Sequence, residues 1–419
     1  MTASAVQEIF AAESVVDMHT HLFAPAFNAA GDGRFLLWGI DELLCYHYFT
    51  DEILRVLPGL TPVAYGAMPK AERADLVWRS LFVERSPVSE ACIGVVETLT
   101  ALGLDPGDRD LAGYRAWFAG RTLDAHVDEV MRLAGVERIV MTNELFDPAE
   151  RAIWMDGGAR LSDPRFSAVA RFDALLENRP VAFKQLAELG YDVREDGGVS
   201  TFSEIRRFLA DWVGRTGAVY LACSLSPWFR YPSASDAFQT RMIDECVVPA
   251  AHDAGVPLAM MIGAVRGVNP AMGQAGDGLG LADVSSVCRL AAAHPHLKLL
   301  ITMLSRENQH ELCVAARKFA NITPFGCWWY VNTASMIEEI TRVRLELLGT
   351  SFIPQHSDAR VLEQLIYKWR QSRRLIAACV ADRYAAMQAA GGQVDARDAS
   401  ADAARLLRGN FQALTGADS

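Results

Sequence analysis

The sequence predicts an α/β protein built on a closed (β/α)8 barrel of the TIM type, with a helical insertion after the first strand. Eight short apolar runs recur along the chain, and from the second run onward helix-like stretches separate most of them. The runs are almost continuously hydrophobic, which is typical of parallel strands covered on both faces. No glycine fingerprint follows the first run, so an open nucleotide-binding sheet is disfavoured.

The eight predicted strands consist of β-branched and apolar residues between polar, glycine or proline boundaries. They cover residues 15–22, 138–143, 167–173, 218–225, 258–265, 299–305, 323–329 and 351–358. Among the intervening helices, one is predicted over residues 203–213, because Thr201 and Glu204 have the spacing of a capping box. Eight such strand–helix units match a barrel in number and total length.

Residues 23–137 are too long a gap for a single crossover between neighbouring strands. Helical patterns at residues 39–57 and 71–82 indicate an inserted helical subdomain. The predicted organisation is a barrel, an inserted subdomain and a C-terminal tail, at residues 1–38 with 137–390, 39–136 and 391–419 respectively. The end of this tail is expected to be loosely ordered.

Composition excludes several classes of protein. Hydrophobic residues make up 51% of the 419 residues and charged residues 22%, which favours a large folded core over disorder. A formal charge of -11 disfavours nucleic acid as a partner, and no apolar run is long enough to predict a membrane span. We expect a cytoplasmic protein. The eight cysteines lack a C-x-x-C spacing and are expected to be buried free thiols.

A metal site is predicted where the first and last strands meet. His19 and His21 are two residues apart on a strand, so both side chains point the same way near its carboxyl end. Closure of the barrel brings Asp358, at the end of the eighth strand, beside them. Two imidazoles and one carboxylate are typical of a catalytic divalent ion, with Zn²⁺ as the default and Mn²⁺ or Fe²⁺ as alternatives. A helix N-cap is the competing role for Asp358.

Two other histidines near predicted strand ends are weaker candidates. His356 lies two residues before Asp358 on the predicted strand, so both side chains point to the same face. A packed position in the core is favoured for His356 over metal ligation. His310 follows the sixth strand, and a place at the surface or behind the ligands is favoured.

The H-x-H pair, the terminal aspartate and the barrel together resemble the amidohydrolase superfamily. Within it, three segments resemble the uronate isomerases: Gly-Ile-Asp-Glu-Leu-Leu-Cys-Tyr-His-Tyr at residues 39–48, Cys-Trp-Trp-Tyr at 327–330 and His-Ser-Asp-Ala-Arg at 356–360. The likeness runs from about residue 15 to residue 390. It implies interconversion of a hexuronic acid aldose, such as glucuronate or galacturonate, with its ketose through an enediol. The expected partner is therefore a small sugar acid. Assembly into a homo-oligomer is left open.

The resemblance also implies catalytic roles. Asp358 would act as metal ligand and proton shuttle, while Tyr48 and His47 would supply acid or proton-relay chemistry from the insertion. Ordinary aromatic packing on an amphipathic helix is the alternative for Tyr48 and His47. Arg360 would stabilise an anionic oxygen of the substrate.

A sugar acid also needs a carboxylate receptor. Arg171, at the end of the third strand, is the first candidate, because an arginine can bind a carboxylate through two parallel hydrogen bonds. A structural salt bridge is the alternative for both Arg171 and Arg360. Trp328 and Trp329 are expected to shape the sugar pocket, with one of them packed under the outer helices because adjacent strand residues point oppositely.

The sequence departs from the family pattern at the fifth strand, where Met260 and Met261 stand and no histidine occurs. The fourth strand offers no lysine or histidine to bridge two metals, so a mononuclear site is expected. Two alternatives stay open. One is a mononuclear metal-dependent hydrolase or decarboxylase acting on a small carboxylated substrate. The other is a non-catalytic sugar-acid binding protein.

Overall fold

The structure is a computed structural model that describes residues 1–30, 33–156, 163–198 and 200–416. Its β-structure consists of short strands, nearly all parallel. In chain order they are β1 Val15–Thr20, β2 Val136–Met141, β3 Phe166–Ser167, β4 Ala170–Arg171, β5 Leu221–Leu225, β6 Leu258–Ile262, β7 Ala264–Val265, β8 Gly278–Leu279, β9 Leu299–Met303 and β10 Ile322–Pro324.

The parallel strands form two sheets that join into a ring. One sheet has the order β1-β2-β3, and the other has the order β10-β9-β6-β5-β4. A parallel bridge between Glu144 and Arg171 connects β4 to the chain that follows β2. On this side the two sheets are therefore continuous.

The ring closes on its other side through residues 353–359. Ile353 forms a parallel bridge to the residue after β10. Farther along, the Asp358 N–H donates to the His19 carbonyl at 3.1 Å, and the His21 N–H donates to the Ala359 carbonyl at 2.7 Å. The eighth barrel position thus links β10 to β1, which confirms the predicted (β/α)8 barrel.

The third, fifth and eighth predicted strands differ from the observed ones for local reasons, and the seventh ends early, at Pro324. The third is split into β3 and β4, because the Val169 N–H donates to the side-chain oxygen of Asn143 at 3.2 Å rather than to a strand backbone. The fifth stops at Gly263, whose φ of +128° favours glycine, and the chain then forms the antiparallel hairpin β7–β8. The eighth run, residues 351–358, has single bridges in place of a regular strand.

Helices cover the barrel and fill the predicted insertion. Those before β2 are α1 Ala3–Ala12, α2 Pro25–Ala30, α3 Ile40–Leu44, α4 His47–Val56, α5 Pro62–Ala67, α6 Lys70–Trp78, α7 Glu90–Ala101, α8 Ala112–Ala119 and α9 Leu123–Ala134. Those after β2 are α10 Pro148–Met155, α11 Asp173–Glu177, α12 Arg179–Glu188, α13 Thr201–Thr216, α14 Ala237–Met242, α15 Val248–Ala254, α16 Val284–Ala293, α17 Asn308–Lys318, α18 Ala334–Leu348, α19 Gln364–Ala389, α20 Ala396–Ala404 and α21 Asn410–Thr415. Short π-helical or 3₁₀ segments occur at Arg79–Val83, Ile243–Val247, Pro270–Gly276, Trp329–Val331 and Arg405–Gly409.

Helix α13 shows how sequence signals shift in the folded chain. Thr201 is its first helical residue and not its cap, and its hydroxyl accepts the Arg194 N–H at 3.0 Å. The predicted capping box is therefore wrong. The helix ends at Gly217, whose φ of +62° is the left-handed conformation common after a helix.

The C-terminal stretch is helical through α21, and the expectation of a loosely ordered end is not tested. Phe411 is buried, and its ring lies 6.1 Å from the ring of Tyr220, whose hydroxyl donates to the Met18 carbonyl at 2.7 Å. Apolar burial outweighs the small, polar composition of this stretch. Residues 417–419 lie outside the described residues.

The core has an apolar layer between strands and helices and a smaller one inside the barrel. All eight cysteines are free thiols, and six of them are buried. Among the described helices, none is both long and apolar enough to cross a membrane.

Candidate metal centre and active site

Three predicted ligands meet at the carboxyl end of the barrel. His19 lies in β1, His21 follows that strand, and Asp358 lies at the seam that closes the ring. The distance from Asp358 Oδ1 to His19 Nε2 is 3.7 Å, and to His21 Nε2 it is 3.3 Å. Tetrahedral bonds of about 2 Å around Zn²⁺ separate neighbouring ligand atoms by about 3.3 Å. The spacing therefore suits a single small cation.

The polarity of these atoms supports the same conclusion. Asp358 Oδ1 is buried, and its polar neighbours are the two imidazole nitrogens, His21 Nε2 at 3.3 Å and His19 Nε2 at 3.7 Å. The opposite nitrogen of His21, Nδ1, lies 3.0 Å from the Thr142 hydroxyl, which orients the ring with Nε2 toward Asp358. A buried carboxylate is costly unless a cation or hydrogen-bond donors compensate its charge. The three side chains thus fit a divalent ion, which would satisfy all three ligand atoms at once.

Burial sets the protonation of the ligands. It lowers the pKa of His21 to about 4, with the charge of Arg360 adding to the effect, and it lowers the pKa of His19 well below its ordinary value. Burial alone would raise the pKa of Asp358, but its contacts with His21 and His19 and the charge of Arg360 together lower it. Two neutral imidazoles and an ionised carboxylate are the forms that bind a metal.

The backbone at Asp358 is held in an unusual conformation. Its φ is +53°, in the left-handed region that non-glycine residues seldom adopt. The flanking hydrogen bonds to β1 stabilise this conformation, and strain of this kind is concentrated at functional positions.

A cavity of about 610 Å³ opens above the three ligands. Eight of the nine predicted site residues line it: His19, His21, His47, Arg171, Trp328, Trp329, Asp358 and Arg360. The cavity also exposes further polar groups: Arg34, Thr142, Glu144, Asp147, Glu150, Asp173, Ser224, Arg266 and Gln274. A metal site at the floor of a polar cavity of this size suits a small, highly oxygenated substrate.

No protein-family model matches the chain, and no curated protein sequence matches it. Among solved structures, a uronate isomerase from Bacillus halodurans is 47% identical and superposes with a TM-score of 0.94, over 99% of this chain and 96% of that chain. The chain belongs to the uronate isomerase family. A uronate isomerase from Thermotoga maritima (15% identity, 99% and 98% covered) and a glucuronate isomerase from Caulobacter crescentus (14%, 99% and 94% covered) both have TM-scores of 0.77 and show the same fold.

The two predicted arginines have different surroundings within the cavity. Arg171 is in contact with the Asp173 carboxylate and donates to the Ser224 hydroxyl at 3.3 Å. Arg360 makes no ion pair with any described residue, and its charge helps to lower the pKa of Asp358 and of His21. Arg171 is therefore held in a fixed position, whereas Arg360 keeps its charge available beside the ligands.

The two predicted relay residues begin helix α4. His47 lines the cavity, and burial lowers its pKa to about 3, so the ring is neutral. Tyr48 is not among the described residues that line the cavity. Its ring lies 4.6 Å from the His47 ring, and burial raises its pKa well above the ordinary value. Because its pKa is raised, the phenol keeps its proton beside the site.

Both tryptophans line the cavity, so the prediction that one packs under the outer helices is wrong. Side-chain alternation does not apply, because β10 ends at Pro324 and the chain then leaves the strand conformation. Trp329 lies in a 3₁₀ turn with φ of +46°, which directs its ring to the same side as that of Trp328.

The weaker histidine candidates lie outside the cavity. His356 is fully buried, and its ring lies 5.1 Å from the His19 ring, on the core side. His310 is exposed on α17. The interpretation favoured for each from sequence agrees with these positions.

Several cavity residues were not singled out by sequence. Thr142, Asp173 and Ser224 each lie at the carboxyl end of a predicted strand, the end at which barrel active sites are built. That position was a usable signal. Glu144 and Glu150 lie in the connection after β2, and nothing local marked them.

Glu150 predicts an unusual pH dependence of stability. It is 3% exposed, and burial raises its pKa to about 7 although it accepts hydrogen bonds from Asn143, Trp154 and the Glu144 backbone. Between pH 4.5 and 7 the unfolded chain loses this proton and the folded chain keeps it, so the folded state loses up to about 3 kcal/mol as the pH rises. Glu150→Gln should remove that loss.

Thermal or denaturant unfolding at pH 5 and pH 8 checks this. The stability of Glu150→Gln relative to the unsubstituted chain should improve by about 2 to 3 kcal/mol from pH 5 to pH 8. Glu72→Gln, at an exposed carboxylate, is the matched control. A relative stability of Glu150→Gln that is the same at both pH values would contradict the prediction.

Proposed function

We propose that this chain interconverts a hexuronic acid aldose, such as glucuronate or galacturonate, with its ketose, and that it uses one Zn²⁺ ion held by His19, His21 and Asp358. One observation carries the proposal. The three ligand atoms converge at the floor of a polar cavity that also presents two arginines, in a chain of the uronate isomerase family. Two nitrogens and one oxygen, with open positions left for substrate, are a donor set that suits zinc.

The ion, when bound, supplies electrophilic polarisation of the sugar oxygens, which lowers the barrier to removing a proton from the neighbouring carbon. The protein's own residues supply the rest. Arg171, fixed by Asp173 and Ser224, receives the substrate carboxylate in a bidentate contact. Arg360, close enough to Asp358 to lower the pKa of its carboxyl, stabilises negative charge on the reacting end of the sugar.

Asp358 moves the carbon-bound proton. One carboxylate oxygen, Oδ1, faces the two imidazoles, which leaves the other for substrate. It takes the proton from C2, giving the enediol, and returns a proton to C1. For the atoms to balance, the hydroxyl proton on O2 must leave and a proton must arrive on O1.

His47 and Tyr48 are placed for that exchange of hydroxyl protons. A neutral imidazole accepts and passes on a proton, and a protonated phenol donates one. Their ring centroids lie 4.6 Å apart, and His47 Nε2 lacks a hydrogen-bond partner among the described residues. These roles require both residues to be in their neutral forms, which their pKa shifts favour.

The hydrolase alternative gains no support from the described part of the site. Hydrolysis would favour a basic histidine from the fifth or sixth barrel strand, but β6 presents Met260 and Met261 and His310 points to solvent. The imidazoles lining the described cavity are His19, His21 and His47.

The test is direct. Zinc-loaded protein given glucuronate or galacturonate in deuterated water should produce the ketose and exchange the C2 proton with solvent, both followed by NMR. Metal-free protein and a neutral hexose are the controls, and both should be inactive. Loaded protein that produces no ketose and no exchange with either sugar acid would contradict the proposed function.

A further inference from the structure

A buried carboxylate that sequence analysis did not single out lies directly behind the ligands. Asp17 is in β1, two residues before His19, and its side chain is 0% exposed. One oxygen accepts the backbone N–H of Ser357 at 3.0 Å, and the other accepts the indole N–H of Trp369 at 2.7 Å. Asp17 is not among the described residues that line the cavity, so it is placed to act only through its neighbours.

The contact with Ser357 lies at the least regular part of the barrel. Residues 357–359 pair with β1 through three hydrogen bonds rather than a strand ladder. Two of these join backbone groups, and in the third the Asp17 side chain takes the place of a backbone acceptor. Asp358 directly follows Ser357 and has a left-handed φ. The third bond therefore fixes the position of the backbone from which the Asp358 side chain extends.

The contact with Trp369 fixes Asp17 itself. Trp369 is 1% exposed on α19, the long helix that begins six residues after Asp358. Its N–H donates to the second oxygen of Asp17, so the carboxylate cannot rotate away from Ser357 without losing a charge-assisted hydrogen bond in the buried core. The carboxylate thus connects β1, the closing seam and α19.

We propose that Asp17 is a positioning residue. It holds Asp358 Oδ1 at the distance from the two imidazole nitrogens that ligands of one ion require, and it thereby sets the metal affinity of the site. The inference rests on the zinc-dependent function proposed above. Residues that orient metal ligands typically change metal affinity or activity by about 10- to 100-fold when replaced.

Asp17→Asn tests it with almost no change of volume. The amide oxygen can accept one of the two N–H groups, but the amide NH2 then faces the other N–H, and two donors cannot pair. One of the two contacts is therefore lost. Zinc affinity, measured by competition with a chromophoric chelator, should fall about 10- to 100-fold. At saturating zinc kcat should fall while KM changes by no more than about threefold, because Asp17 does not touch substrate. Trp369→Phe removes only the indole donor and should weaken zinc binding by a smaller factor.

The control is Ser286→Ala, which removes another fully buried side chain that accepts a backbone N–H, at 3.0 Å from Tyr231. It should lower thermal stability and leave zinc affinity unchanged. If the unsubstituted chain binds no zinc, the proposed function fails, and this inference fails with it. If it binds zinc and folded Asp17→Asn binds equally well, only the inference is overturned. Should Asp17→Asn not fold, unchanged zinc affinity in Trp369→Phe overturns it.

Discussion

Asp358→Asn should reduce kcat by about 10³-fold or more while the chain remains folded. The amide has nearly the shape of the carboxylate, but it is a weaker metal ligand and cannot take up a proton from C2. The left-handed backbone at this position tolerates asparagine well. The measurement is steady-state turnover of glucuronate and galacturonate at saturating zinc, with bound zinc and circular dichroism recorded on the same samples.

Asp244→Asn is the matched control for this change. Asp244 accepts hydrogen bonds from His294 and Tyr231 and is not among the described residues that line the cavity, so it shares the chemistry of the substitution but not the site. Its kcat should be unchanged. Activity of Asp358→Asn within about tenfold of the unsubstituted enzyme would remove Asp358 from proton transfer.

Replacing the two arginines should separate binding from catalysis. Arg171→Met should raise KM about 100-fold with a smaller effect on kcat, because it removes a bidentate, charge-assisted contact to the substrate carboxylate, equivalent to about 3 kcal/mol. Arg360→Met should lower kcat about 100-fold and leave KM within a few fold, because the charge it stabilises develops only during the reaction. Steady-state kinetics on glucuronate gives both parameters.

Loss of Arg171 also leaves Asp173 without its partner, and this must be separated from the effect on substrate. The double variant Arg171→Met, Asp173→Asn also removes the negative charge of Asp173. It should have the same raised KM as Arg171→Met alone. A KM that recovers in the double variant would show that repulsion from Asp173, and not the lost contact, caused the change. The reverse pattern, with KM altered by Arg360→Met and kcat by Arg171→Met, would exchange the two roles.

Much of this site could be predicted because its signals are local. The two-residue spacing of His19 and His21 places both imidazoles on one face of a strand whatever surrounds it. Asp358 follows from the count of strands, since the eighth strand of a barrel must neighbour the first. Arg171 likewise lies at a strand end, where side chains of a barrel meet the cavity.

Other features depended on contacts between residues far apart in sequence. Trp329 faces the cavity because the chain adopts a positive φ after β10, and alternation along an assumed strand predicted otherwise. The arginines differ in their surroundings because Asp173 and Ser224 fix Arg171, whereas no described carboxylate pairs with Arg360.

By itself, then, the sequence determined the barrel, the meeting of His19, His21 and Asp358, and the likeness to uronate isomerases. Each of these depends on short-range patterns or on the order of strands. Only the tertiary structure decided how the ring closes. There, the buried carboxylate of Asp17 replaces a strand hydrogen bond and connects residues about 340 positions apart. No pattern within one segment reports such a contact, because its stability comes from removing both partners from water together.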